Sequence, residues 1–108
     1  MRNGLYKVEF QTPLGSGSGV VVLHDGRIRG GDSIIYYVGT YTENGNQFSA
    51  EVRTDSYAKV PGMTSVFGMD KVNIKLQGAS NGDTAALMGK ANEVPNVGFQ
   101  AKLSRLCD

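Results

Sequence analysis

A chain of 108 residues with 11 basic and 10 acidic side chains, one histidine and one cysteine has the length of one domain. The net charge of +1 excludes a strong long-range pull on nucleic acid or on an anionic membrane. The lone Cys107 cannot close an internal disulfide, and no stretch approaches the ~20 apolar residues of a membrane helix.

The first residues alternate polar and apolar rather than forming the apolar run of a leader. From Leu5 to Gln11, Tyr6, Val8 and Phe10 share one face and Lys7, Glu9 and Gln11 the other, the pattern of a half-buried strand. Pro13 ends it, because proline has no N–H for a ladder. Gly15-Ser16-Gly17-Ser18-Gly19 reads as a flexible connection into a second strand, Gly19 to His24. Asp25-Gly26 is a two-residue hairpin turn, followed by a short strand Arg27–Arg29 and a bend at Gly30-Gly31-Asp32. Ser33 to Tyr41 is dense in β-formers, apolar on both faces, and part of it is expected to be covered on both sides.

Asn44-Gly45 marks the next hairpin tip, and Phe48, Ala50 and Val52 alternate with Ser49, Glu51 and Arg53. Residues 56–69 are less regular, with a turn at Pro61-Gly62 and a loop or helical turn over Met63–Phe67. Val72, Ile74 and Leu76 form another half-buried strand, turned by Ser80-Asn81-Gly82-Asp83. Thr84–Ala91 and a strand carrying Val97, Phe99, Ala101 and Leu103 complete the chain. About eight short strands at roughly ten-residue spacing predict an all-β fold, a small up-and-down antiparallel eight-stranded barrel over residues 1–108. Such an interior is either filled by side chains or just able to hold one small ligand.

Chemistry is sparse. His24 has no sequence neighbour to orient it as a base and reads as a strand-end residue. One His and one Cys cannot build a zinc site, and the aspartates lie mostly beside turn glycines. Lys71, Lys75, Lys90, Lys102 and Arg105 lie along the late strands and read as a solvated face without stacking aromatics. The expectation is a protein that is not an enzyme and takes no cofactor and no metal.

Asn3-Gly4-Leu5-Tyr6, Phe10, Gly19-Val20-Val21-Val22, Asp25-Gly26-Arg27-Ile28, Gly30-Gly31-Asp32 and Tyr37-Val38-Gly39 follow one another in an order that resembles the GrlR-like family. These are small bacterial negative regulators of type III secretion genes. The resemblance spans about the first 40% of the chain. Asp25, Gly26, Gly30, Gly31, Asp32 and Gly39 are its structural motif. It implies a lipocalin-like eight-stranded barrel, a cytoplasmic homodimer, and a role in binding and masking a partner protein such as a transcriptional activator. Direct binding to nucleic acid or membrane is not implied. The partner-contacting hairpin of that family matches Thr42, Glu43, Asn44, Gly45 and Asn46, with Glu43 as its one acid. The lipocalin-like shape also offers an alternative, an apolar or lipid-like ligand inside the barrel against Tyr37, Tyr41, Phe48 and Phe99. A structural interaction module without ligand is the third reading.

Overall fold

A computed structural model describes residues 1–58 and 71–108. Among these, eight strands run in chain order: β1 (Gly4–Thr12), β2 (Gly15–His24), β3 (Arg27–Gly31), β4 (Ile35–Asn44), β5 (Gln47–Ser56), β6 (Val72–Asn81), β7 (Thr84–Ala91) and β8 (Gly98–Cys107). Each pairs antiparallel with its sequence neighbours, and β8 returns to β1 to close the barrel. Closure leaves no strand edge unpaired, which removes the usual template for edge-to-edge aggregation. The expected turn at Pro61-Gly62 and the segment Met63–Phe67 lie outside the described residues.

Period-two alternation places the core. Tyr6, Val8, Val21, Leu23, Ile28, Ile35, Tyr37, Phe48, Ala50, Val72, Ile74, Ala85, Leu87, Phe99, Ala101 and Leu103 all point inward and are buried. Asp25 and Gly26 both take positive φ, 49° and 86°, as a type I′ turn requires. The β4–β5 and β6–β7 hairpins turn one residue later than the Asn-Gly pairs suggest. Their loops are Gly45-Asn46 and Gly82-Asp83, with the glycine alone at positive φ.

Three expectations are corrected. Gly15–Gly19 is not a flexible connection but the first half of β2, laddered from Gly15↔Thr12 to Gly19↔Val8. Its alternate glycines face inward, where Gly17 lies under the Phe10 ring and Gly19 under Tyr37. A Cβ would come within 2.7 Å of Phe10 Cε2 and 2.8 Å of Tyr37 Oη. β4 is covered on one face only, since Tyr36 is 39% exposed while Ile35 and Tyr37 are buried. Ser33 and Ile34 precede the strand, because the Asp32 carboxylate accepts hydrogen bonds from the Ile34 and Ile35 amides (2.9 and 2.8 Å) and holds them in a turn.

Gly30, Gly39, Gly78 and Gly89 also lie on the inner face, opposite Val21, Val52, Leu87 and Leu76. A Cβ at any of them would fall 1.9–2.1 Å from a carbonyl oxygen of the paired strand. These are pinch points where the strands coil too closely for a side chain. Gly39→Val should therefore cost about 1–3 kcal/mol or more in urea unfolding, by overpacking. Gly98→Ala, whose Cβ meets nothing within 4 Å, should stay within about 0.5 kcal/mol.

Candidate functional site: an apolar cavity in the barrel

The barrel interior is not filled. A cavity of about 300 Å³ lies toward the end where β1 turns into β2 and β3 into β4. Its walls are aliphatic and aromatic: Val8, Phe10, Val21, Ile28, Ile34, Tyr37, Phe48, Ala50, Ile74, Leu87, Phe99 and Leu103. Ser16, Ser18, Asp32 and Ser33 border it at one end, where the Ser16 and Ser18 side chains point outward and all three serines are exposed. The volume sits at the small end of the ~300–1,000 Å³ range of ligand pockets.

The aromatic wall is an interlocked set. Phe10 meets Tyr37 edge to face (6.1 Å between centroids, 88° between planes) and Phe99 nearly parallel (6.1 Å, 22°). Tyr37 is fixed at its far end, where its hydroxyl donates to Asp32 Oδ2 at 2.5 Å. Burial, and then the Asp32 hydrogen bond, push the Tyr37 phenol far above its ordinary value, so it stays protonated and donating. The Asp32 carboxylate is committed to Tyr37 and to the two turn amides, and the Tyr57 hydroxyl donates to the Asp32 carbonyl. Asp32 thus holds the cavity wall in shape.

Of the four aromatics expected to face a ligand, Tyr37, Phe48 and Phe99 line the cavity. Tyr41 instead stacks on Phe48 (5.2 Å, 11°) and braces it. Tyr6, Leu23 and Phe48, essentially fully buried, fill the barrel toward its opposite end.

That opposite end is closed by the first three residues. The Met1 amine pairs with Glu43, which also accepts from Ser80 Oγ at 2.5 Å. Arg2 makes a two-pronged contact with Asp83 (3.1 and 2.7 Å). Asn3 and Asp25 exchange two hydrogen bonds of 3.0 Å each. Glu43, Asp83 and Asp25 belong to the hairpins β4–β5, β6–β7 and β2–β3, so one short arm ties three hairpins together. Glu43, the acid of the hairpin matched to partner contact, is engaged within the chain. Thr42, Asn44, Gly45 and Asn46 around it are exposed. His24 is exposed beside Asp25 (3.3 Å).

Sequence reading missed the clasp of Arg2 and Asn3 and the Asp32–Tyr37 bond, since long-range side-chain pairs leave no local pattern. The glycine rhythm at 17 and 19 was a usable signal, because period two puts both on one face of a strand.

The chain matches no model of a known protein family, and comparison with curated proteins finds no match. The class that fold and site define is an eight-stranded antiparallel barrel with an apolar interior cavity. Among the described residues no helix is long and apolar enough to cross a membrane.

The clasp predicts acid sensitivity. The Met1 amine and Ser80 hold the Glu43 carboxyl below its ordinary range, and Arg2 does the same for Asp83. A carboxyl whose pKa is lower folded than unfolded adds stability above its unfolded value, near 4. That stability is lost as pH falls through the folded value. The melting midpoint should fall between about pH 5 and pH 2. Glu43→Gln should be less stable than the parent at neutral pH, and the two curves should converge in acid.

Proposed function

We propose that the protein binds a small apolar molecule in the barrel interior and performs no chemistry on it. The observation that carries this reading is the cavity itself. Its walls are chiefly apolar, and a ligand that fills the space would take that surface out of contact with water. An apolar cavity of about 150 Å³ holds benzene, so one twice that size suits a ligand of about two rings or a short acyl chain. Its polar end would lie at the Asp32–Ser33 end of the cavity, toward solvent, because the Asp32 and Tyr37 groups already satisfy each other.

The wall also speaks for binding rather than catalysis. Its polar pair, Asp32–Tyr37, is internally satisfied and the phenol is locked in its protonated form. A regulatory role remains compatible: a barrel that changes surface or stability with occupancy would report the ligand to a partner protein. Masking of a secretion activator through the β4–β5 tip has weaker support, since Glu43 is engaged by Met1 and Ser80. A homodimer finds support in Val20, Val22 and Tyr36, outward side chains 42%, 44% and 39% exposed on neighbouring stretches of β2 and β4. In that reading Val22→Asp would convert a dimer to monomer in sedimentation velocity.

Native mass spectrometry of protein purified gently from its own host should show a retained small molecule. In vitro, an apolar naphthylamine fluorophore should bind with blue-shifted emission and be displaced by that molecule. Ala50→Leu and Ala101→Leu, which extend side chains into the cavity, should weaken the fluorophore at least tenfold without lowering the melting midpoint. Unchanged affinity in both variants would remove the interior from the account.

A further inference from the structure

The outer face of β3 to β7 carries a charge arrangement that the cavity does not use. Register places Arg27, Thr40, Glu51, Lys75 and Lys90 in one row across five adjacent strands. The next row contains Arg29, Val38, Arg53 and Asn73. All of these side chains point outward, and Arg27, Arg29, Arg53, Lys75 and Lys90 are exposed. The surface between the rows is a shallow, open depression lined by Arg27, Arg29, Arg53, Lys75 and Glu51. Lys75 and Lys90 also line the larger depression that continues it over β6 and β7.

Two features of the groove are unfavourable to the isolated chain. Lys75 and Lys90 are direct cross-strand partners, and like charges in that position repel. Among the described residues the ion pairs involve the Met1 amine, Arg2, Lys7, His24 and Arg105, and none of the five groove cations. Among the described residues the acids within reach are few. Glu51 lies between Thr40 and Lys75, and Asp55 stands two residues beyond Arg53 on the same face. Glu93 is taken up by the Asn73 backbone and side-chain amides. The chain as a whole is close to neutral, so this is a local concentration of positive charge.

We infer that this groove docks an extended acidic segment of a partner protein, laid across the strands with its carboxylates against Arg27, Arg29, Arg53, Lys75 and Lys90. The dimensions agree. Four inter-strand steps of about 4.8 Å make about 19 Å, the length of about six extended residues. Alternate residues of such a segment face the groove, and guanidinium groups receive carboxylates in two-pronged fashion. Glu51 sits in the middle of the row, where it repels a uniform polyanion but accepts a hydrogen-bond donor of a mixed sequence. Stacking aromatics, which single-stranded nucleic acid would use, do not line it.

The test is fluorescence anisotropy with the full chain and a labelled eight-residue peptide of alternating Glu and Ser. A Lys-Ser peptide of equal length and a twelve-nucleotide DNA strand are the comparisons. The Glu-Ser peptide should bind saturably and weaken as salt is raised. The Arg53→Glu, Lys75→Glu double variant should lose at least tenfold in affinity while remaining folded. Lys90→Glu alone should weaken the peptide and raise the melting midpoint, since it replaces a repulsive cross-strand pair with an attractive one. The cavity fluorophore should bind all of these variants normally, which separates failure of the groove from failure of the interior site. Equal peptide binding by the parent and the double variant overturns the inference. So does tighter binding of the DNA strand that is lost with the same substitutions.

Discussion

The inner face of this barrel is built around residues that have no side chain. Six glycines, at 17, 19, 30, 39, 78 and 89, occupy positions where alternation would otherwise put an apolar group. Four let neighbouring strands approach until a Cβ would collide with a backbone carbonyl. Two leave room for atoms of the Phe10 and Tyr37 rings to approach the backbone. The strong coiling that closes eight strands, and the aromatic set that walls the cavity, both depend on those omissions. The entropic penalty of glycine in a strand is accepted at each site because no larger residue fits.

The two ends of the barrel are treated differently, and this division gives the molecule its function in our reading. At one end large buried side chains, Tyr6, Leu23 and Phe48, fill the interior. Over them the residues 1–3 bind three hairpins through charged and amide groups. At the other end Phe10 of β1, Tyr37 of β4 and Phe99 of β8 form one ring contact set that lines the cavity. Asp32 is central there, because one carboxylate shapes the β3–β4 turn and anchors Tyr37. A single residue thus links the turn chemistry to the shape of the cavity.

Inside and outside follow separate logics on the same strands. Along β5, Phe48, Ala50 and Val52 serve the interior, while Glu51 and Arg53 stand in the cationic groove. Alternation makes the two surfaces independent to a first approximation, so substitutions on one need not disturb the other. A protein can thereby hold a ligand within and meet a partner without, and the five strands from β3 to β7 connect the two surfaces physically.

Much of the architecture was legible in the chain. Alternation and glycine-bearing turns fixed the number of strands, their order and which residues face inward, because those are local, period-two properties. The Asp25-Gly26 turn and the inward set Tyr6, Val8, Ile74 and Leu103 needed nothing more. Gly15–Gly19 was misread because glycine lacks strand propensity, and only pairing to β1 makes it a strand. Tertiary structure alone decided the rest. Whether Phe10, Tyr37 and Phe99 fill the lumen or line it depends on ring packing between β1, β4 and β8. Arg2 meets Asp83, and Lys75 meets Lys90, only once register is set between distant segments. Sequence determines which face each side chain takes; closure of the barrel determines what it meets there.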